Sequence, residues 1–159
     1  MNDVQYGTQA ASDFDWPWGQ HAAMKLKNGN ILLYDNGVNR NFQSPAQNHS
    51  RAVEYEIDES NMTVKQVWQY GKNRGNEFHS FIVSDVDVLE ETGNRFITSG
   101  TVNYNNQHYS KITELTYPDN MLVFEATMYF KDENGTNDGS WGEFDVNYRS
   151  EKIKLYHEE

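Results

Sequence analysis

The 159-residue chain contains no cysteine, which excludes a disulfide framework, Cys-ligated zinc and thiol catalysis. Basic residues are also scarce: 13 Lys and Arg stand against 24 Asp and Glu, a net charge of -11. A protein that binds DNA or RNA needs Lys and Arg gathered on one face, and here they are scattered with no local patch. Nucleic acid is therefore excluded as a partner. No apolar run approaches the roughly 20 residues of a membrane helix, and the N-terminus lacks the charged-then-apolar pattern of a secretory signal. Any export signal of a parent protein is expected upstream of this chain. Helical periodicity is missing too, which leaves β-structure.

Aromatic residues are plentiful at 14%, and the length suffices for one domain with a buried core. Residues 1–15 are polar and read as a loop, and residues 16–159 as one all-β domain. Four strands are predicted in a first unit (16–75): 22–26, 31–35, 51–58 and 63–70. Arg51 to Asp58 alternates apolar and charged residues, the mark of a half-buried strand. A second unit (76–131) repeats the order with strands at 81–89, 94–98, 110–117 and 121–129. Asn28-Gly29 supplies the positive φ that a tight hairpin requires, and Pro118-Asp119-Asn120 is a turn signal. Closing strands are expected within 140–157, at 141–147 and 151–156, after the polar stretch 132–140.

The two units resemble each other in detail. His21 and His79 each precede a strand, a turn (Asn28-Gly29-Asn30 or Thr92-Gly93-Asn94) and a second strand ending in Gly37 or Gly100. Antiparallel strands repeating at about 60 residues suggest propeller blades, in which matching histidines point toward one shared channel. The expected fold is thus a partial β-propeller: two four-stranded antiparallel blades and a C-terminal hairpin. Two blades cannot close a ring, so the chain reads as a fragment of a longer protein or as rearranged sheets. Its open sheet edges favour pairing with a second copy, a homodimer.

Several blocks in order resemble the bacterial arylsulfate sulfotransferases. They are Asp13-Phe14-Asp15-Trp16, Gly19-Gln20-His21-Ala22-Ala23, Tyr34-Asp35-Asn36-Gly37 with Arg40, Ser50 to Asp58, Val67 to Gly75, and Tyr148 to Ile153. The resemblance implies the C-terminal part of a six-bladed propeller, in an extracytoplasmic parent. It implies sulfuryl transfer from a phenolic sulfate ester to a phenol, without a nucleotide sulfate donor or other cofactor. In that chemistry a histidine nitrogen attacks sulfur and forms a transient sulfohistidine. Attack needs a neutral imidazole, and the developing charge on the sulfuryl and phenolate oxygens needs cationic or hydrogen-bonding neighbours.

Carried onto single residues, the resemblance makes His21 an active-site histidine that stabilises the sulfuryl group or the leaving oxygen. The plain alternative is a histidine at a strand start. Arg40 matches an arginine for sulfate oxygens, where a planar guanidinium suits an oxyanion; otherwise it is a loop arginine in an ion pair. The position expected for the nucleophile holds Asn103. The nearest histidine, His108, sits in the predicted loop 105–109, either as nucleophile or as a loop histidine. His79 stands where the family pattern has tyrosine, and either lines the pocket as a base or replaces a structural residue. Arg51 and Arg149 are each read equally as substrate contacts or structural pairs, Arg51 with Glu54 or with another blade. Asn103, Tyr104 and Arg149 are candidate substrate-binding residues. Tyr34, Tyr104 and Trp18 are each either an aryl-stacking surface or core. His49 and His157 are expected to be solvated.

Two other functions fit. The loss of a histidine at Asn103 favours a non-catalytic binding or scaffold module. A metal-dependent hydrolase would need converging histidines, but the chain has no His-x-His or Glu-x-x-His spacing, so no metal site is assigned. Acidic residues alternating on strands read as solvated faces.

Overall fold

A computed structural model describes residues 14–42, 44, 48–130 and 145–153. Among the described residues, the alternation of side chains produces eight strands in two sheets. The first sheet runs β1 (Gln20–Lys25), β2 (Ile31–Asp35), β3 (Arg51–Asp58), β4 (Thr63–Tyr70). The second runs β5 (Asp85–Val88), β6 (Arg95–Tyr104), β7 (Gln107–Leu115), β8 (Leu122–Tyr129). Every neighbouring pair is antiparallel and sequential, so each sheet is a meander of the kind that makes a propeller blade. Gly29, at φ +93, closes the β1–β2 turn.

The sheets pack through one core. Leu32, Tyr34, Ala52 and Trp68 from the first meet Val86, Ile97 and Leu115 from the second, with Phe78 between them. Successive residues of β2 point to opposite faces, so Leu33 joins Val53 and Tyr55 in a second cluster on the far face, covered by Phe14. The first sheet is therefore covered on both sides. That overturns the half-buried reading of β3: Arg51 to Tyr55 are all buried. The charged residues among them are buried because each has partners. Arg51 binds Asp35 at 2.9 Å, Gln66, Gln69, Tyr55 and the Asp15 carbonyl. Arg51 is thus a structural pair, but its carboxylate is Asp35; Glu54 instead reaches Arg95 of the second sheet at 2.7 Å.

Strands β1 and β5–β8 differ from the predicted bounds, and the larger differences have local causes. Residues 81–84 are not strand, because Val83 (φ 53) and Ser84 (φ 92) are left-handed, which breaks a β ladder. Strand β6 does not end at Gly100 but runs through it to Tyr104, over a bulge between Ser99 and Val102. His108 lies in β7 and not in a loop: Asn105 (φ 53) and Asn106 (φ 57) make the two-residue turn alone, the positive-φ pair that tight hairpins favour. Of the closing hairpin, the described residues 145–153 contain no strand; 141–144 and 154–156 lie outside the described residues. No helix among the described residues is long and apolar enough to cross a membrane.

Candidate active site

His21 opens onto a cleft of about 490 Å³ between the first strands of the two sheets. One wall is His21 to Met24 on β1; the other is Ser84, Asp85 and Asp87, with Tyr148, Arg149 and Glu151 across the mouth. Strand β1 bulges between His21 and Met24, with Ala22 at φ 52. Such a bulge re-aims the adjacent side chain, here that of His21. Both cleft walls thus carry left-handed non-glycine backbone, at Ala22 and at Val83–Ser84.

The ring of His21 is held from behind. Its Nδ1 lies 2.7 Å from Oδ1 of buried Asn36 and 3.3 Å from the Gly19 carbonyl. The Asn36 amide nitrogen reaches the Ser80 and Val83 carbonyls. Ser50 Oγ sits 2.9 Å from the Asn36 carbonyl and 3.0 Å from His79 Nδ1. The two repeated histidines are therefore joined through Asn36 and Ser50. Burial pushes the His79 imidazole below its ordinary range; the Asn36 carbonyl opposes this and the nearby Arg40 charge adds to it. His79 is neutral at neutral pH.

Asp85 and Asp87 share a face because they are two apart on a strand. Burial raises the pKa of Asp85, and for Asp87 burial is reinforced by the charge of Asp85. Arg149, facing them, works in the opposite direction. Its guanidinium is 66% exposed, and Glu151, its ion-pair partner, is 3.6 Å away. The backbone carrying it is brought in over Gly100, where Asn147 N–H donates to the Gly100 carbonyl at 2.9 Å. A Cβ at position 100 would lie 2.4 Å from the Asn147 oxygen, so only glycine permits this approach.

The remaining candidates lie elsewhere. Arg40 is buried, clamped by Asp35 at 2.5 Å, Asp15 at 2.6 Å and the Trp16 carbonyl. His108 is 2% exposed, with Nε2 2.7 Å from Thr101 Oγ1 and its ring against Phe130. Asn103 pairs with it in the ladder and, with Tyr104, sits at the exposed β6–β7 tip, away from the residues lining the cleft. Tyr34 belongs to the core, its hydroxyl pushed up to about 12 by burial and donating to Ser99. Trp18 stacks edge-on against Phe42. His49 is half-buried rather than solvated, and His157 lies outside the described residues. Sequence reasoning missed Asn36, although it stands within Tyr34-Asp35-Asn36-Gly37. It also read Asp85 and Asp87 as a solvated face, because strand spacing aligns two carboxylates without showing what covers them.

The family profile described as "Arylsulfotransferase (ASST)" matches residues 2–138. The chain belongs to the arylsulfotransferase family. It is similar to "Arylsulfate sulfotransferase AssT" of Lelliottia amnigena, 35% identical over 132 residues. The protein of that name from Escherichia coli O6:H1 (strain CFT073) is 33% identical over 132 residues. Each alignment covers 79% of this chain and 22% of the relative, so the chain spans about a fifth of their length. Within this arylsulfotransferase chain the matched segment carries His21, Arg40, His79 and His108, while Arg149 lies beyond it.

Proposed function

We propose that the chain supplies part of the active site of an arylsulfate sulfotransferase, which moves a sulfuryl group from a phenolic sulfate ester to a phenol through a sulfohistidine. The observation that carries this reading is His21, from a family-matched segment, opening onto a cleft whose mouth holds the exposed guanidinium of Arg149. Arg149 would bind sulfate oxygens. His21 would protonate the leaving aryl oxygen and later accept the proton of the incoming phenol. Of the two candidate nucleophiles, half-buried and neutral His79 fits better than His108, which Thr101 and Phe130 enclose. Arg40, held by two carboxylates, would orient the loop after β2 around this site. Asn103 and Tyr104, at the hairpin tip outside the cleft, take no part in this arrangement.

The two meanders would be consecutive blades of a six-bladed ring in an extracytoplasmic parent. By itself the chain is expected not to turn over, because further site residues would lie in the other blades. Incubating a full-length parent with 4-nitrophenyl sulfate and phenol should release nitrophenolate and label His79 by mass spectrometry; an unlabelled, inactive parent would refute the reading. A second reading has its own observation: Asn103 at the expected nucleophile position and an Arg40 whose terminal nitrogens are already paired with Asp15 and Asp35 favour a non-catalytic binding module. Aryl sulfate binding by the parent without turnover would select it.

A further inference from the structure

Asn36 follows β2 and is fully buried. Its Nδ2 donates to the Ser80 carbonyl at 2.6 Å and to the Val83 carbonyl at 3.0 Å. Both partners only accept, so the amide cannot be turned round: its oxygen would then face two oxygens. Oδ1 is thereby fixed as the atom 2.7 Å from His21 Nδ1. A carboxamide oxygen also only accepts, as does the Gly19 carbonyl at 3.3 Å from the same nitrogen. The proton must therefore reside on Nδ1. A histidine in water prefers it on Nε2, so the fold has selected the less common form.

We propose that Asn36 is a positioning residue that locks His21 in its Nδ1–H tautomer, making Nε2 the one ring atom through which this histidine exchanges a proton in the cleft. The proposal rests on the sulfuryl-transfer reading for its chemical use. When the acceptor phenol attacks sulfur, its O–H bond breaks and the proton passes to the Nε2 lone pair. The new S–O bond forms as the S–N bond of the sulfohistidine breaks and returns its electron pair to that ring. In the other half-reaction Nε2–H gives its proton to the aryl oxygen as the donor's S–O bond breaks. A neutral amide suits a group that must both take and release a proton, whereas a carboxylate would hold the imidazolium.

The lock comes from the other sheet. The two carbonyls that orient Asn36 belong to the 80–84 bend, where Val83 and Ser84 are left-handed. That bend is pinned by Ser84 Oγ donating to Ser80 Oγ, and by the Gly100 and Thr101 amides donating to the Ser84 and Ser80 hydroxyls. A histidine on the first sheet thus has its tautomer set by the second.

Ring ¹⁵N NMR of the whole chain, at a pH where His21 is neutral, tests this without substrate. A protonated Nδ1 and a bare Nε2 are expected. Asn36→Ala should shift the proton to Nε2, and Asn36→Asp should keep it on Nδ1 while moving the His21 titration midpoint upward. A wild-type ring with Nε2 protonated overturns the proposal, whether or not Asn36→Ala folds, and so does a tautomer unmoved by Asn36→Ala. An inactive parent with the expected tautomer would refute the transfer reading alone. The opposite result would remove only the proton-exchange role of His21.

Discussion

Glu54 on β3 and Arg95 on β6 form an ion pair 2.7 Å long, buried between the two sheets. The other Glu54 oxygen accepts from Asn30 at 2.6 Å, and the Arg95 guanidinium lies 3.8 Å from the centre of the Tyr117 ring. This pair ties one meander to the other within their shared core. Removing one partner leaves a charge without water or counter-charge, so Glu54→Ala should cost about 3–5 kcal/mol. Urea denaturation would measure it. A Glu54→Leu, Arg95→Leu double variant should lose much less than the sum of its single changes; additive losses would refute direct coupling.

His79 makes stability pH-dependent. Its folded pKa is held below the ordinary value of 6.5, so below that point the unfolded chain binds more protons than the folded one. The contribution of neutral His79 is fully present above about pH 6.5 and is lost as pH falls toward the folded pKa. His79→Gln should flatten the stability curve in that window. Denaturation midpoints at several pH values, with an NMR titration of the ring, would check both statements.

Asp85 and Asp87 act with the opposite sign. Their folded pKa values are raised, so the folded chain binds more protons than the unfolded one from about pH 4 upward. Stability is lost as pH rises through that window. Asp85→Asn should therefore raise the thermal midpoint at pH 7 more than at pH 4. Equal changes at both pH values would rule out the proposed ionisation penalty.

Among the described residues, strand β8 is an edge of the second sheet, with Leu122, Val123, Phe124, Met128 and Tyr129 all exposed. Unpaired apolar edges template association. The chain is expected to dimerise through β8, and Val123→Lys to shift it toward monomer in sedimentation velocity. A wild-type monomer at high concentration would argue against this surface.

Gly100 can be tested sterically. Ala at this position would push on the Asn147 carbonyl and should cost about 1–3 kcal/mol. The segment carrying Arg149 should then move away from the cleft, seen as faster proteolysis between residues 145 and 153.

The eight strands were legible in the sequence because alternation and turn chemistry are local. Strands β2, β3 and β4 fall where the pattern puts them. His21 was legible through its flanking motif. His108 was misplaced because two asparagines in positive φ shorten the turn and extend the strand, a choice that residue types permit without requiring.

The sequence by itself determined an all-β chain, its strand order and its family, and it singled out the histidine that lines the cleft. Tertiary structure decided which polar groups are buried and with what. Asn36 meets its carbonyls 44 and 47 residues away, and Glu54 meets Arg95 across 41. No local pattern encodes a partner at that distance; only the packing of one sheet on the other brings them together. That same packing selects the tautomer of His21 and hides His108. The repeat of a histidine in each unit was thus written in the chain, and the difference between the two copies was set by the fold.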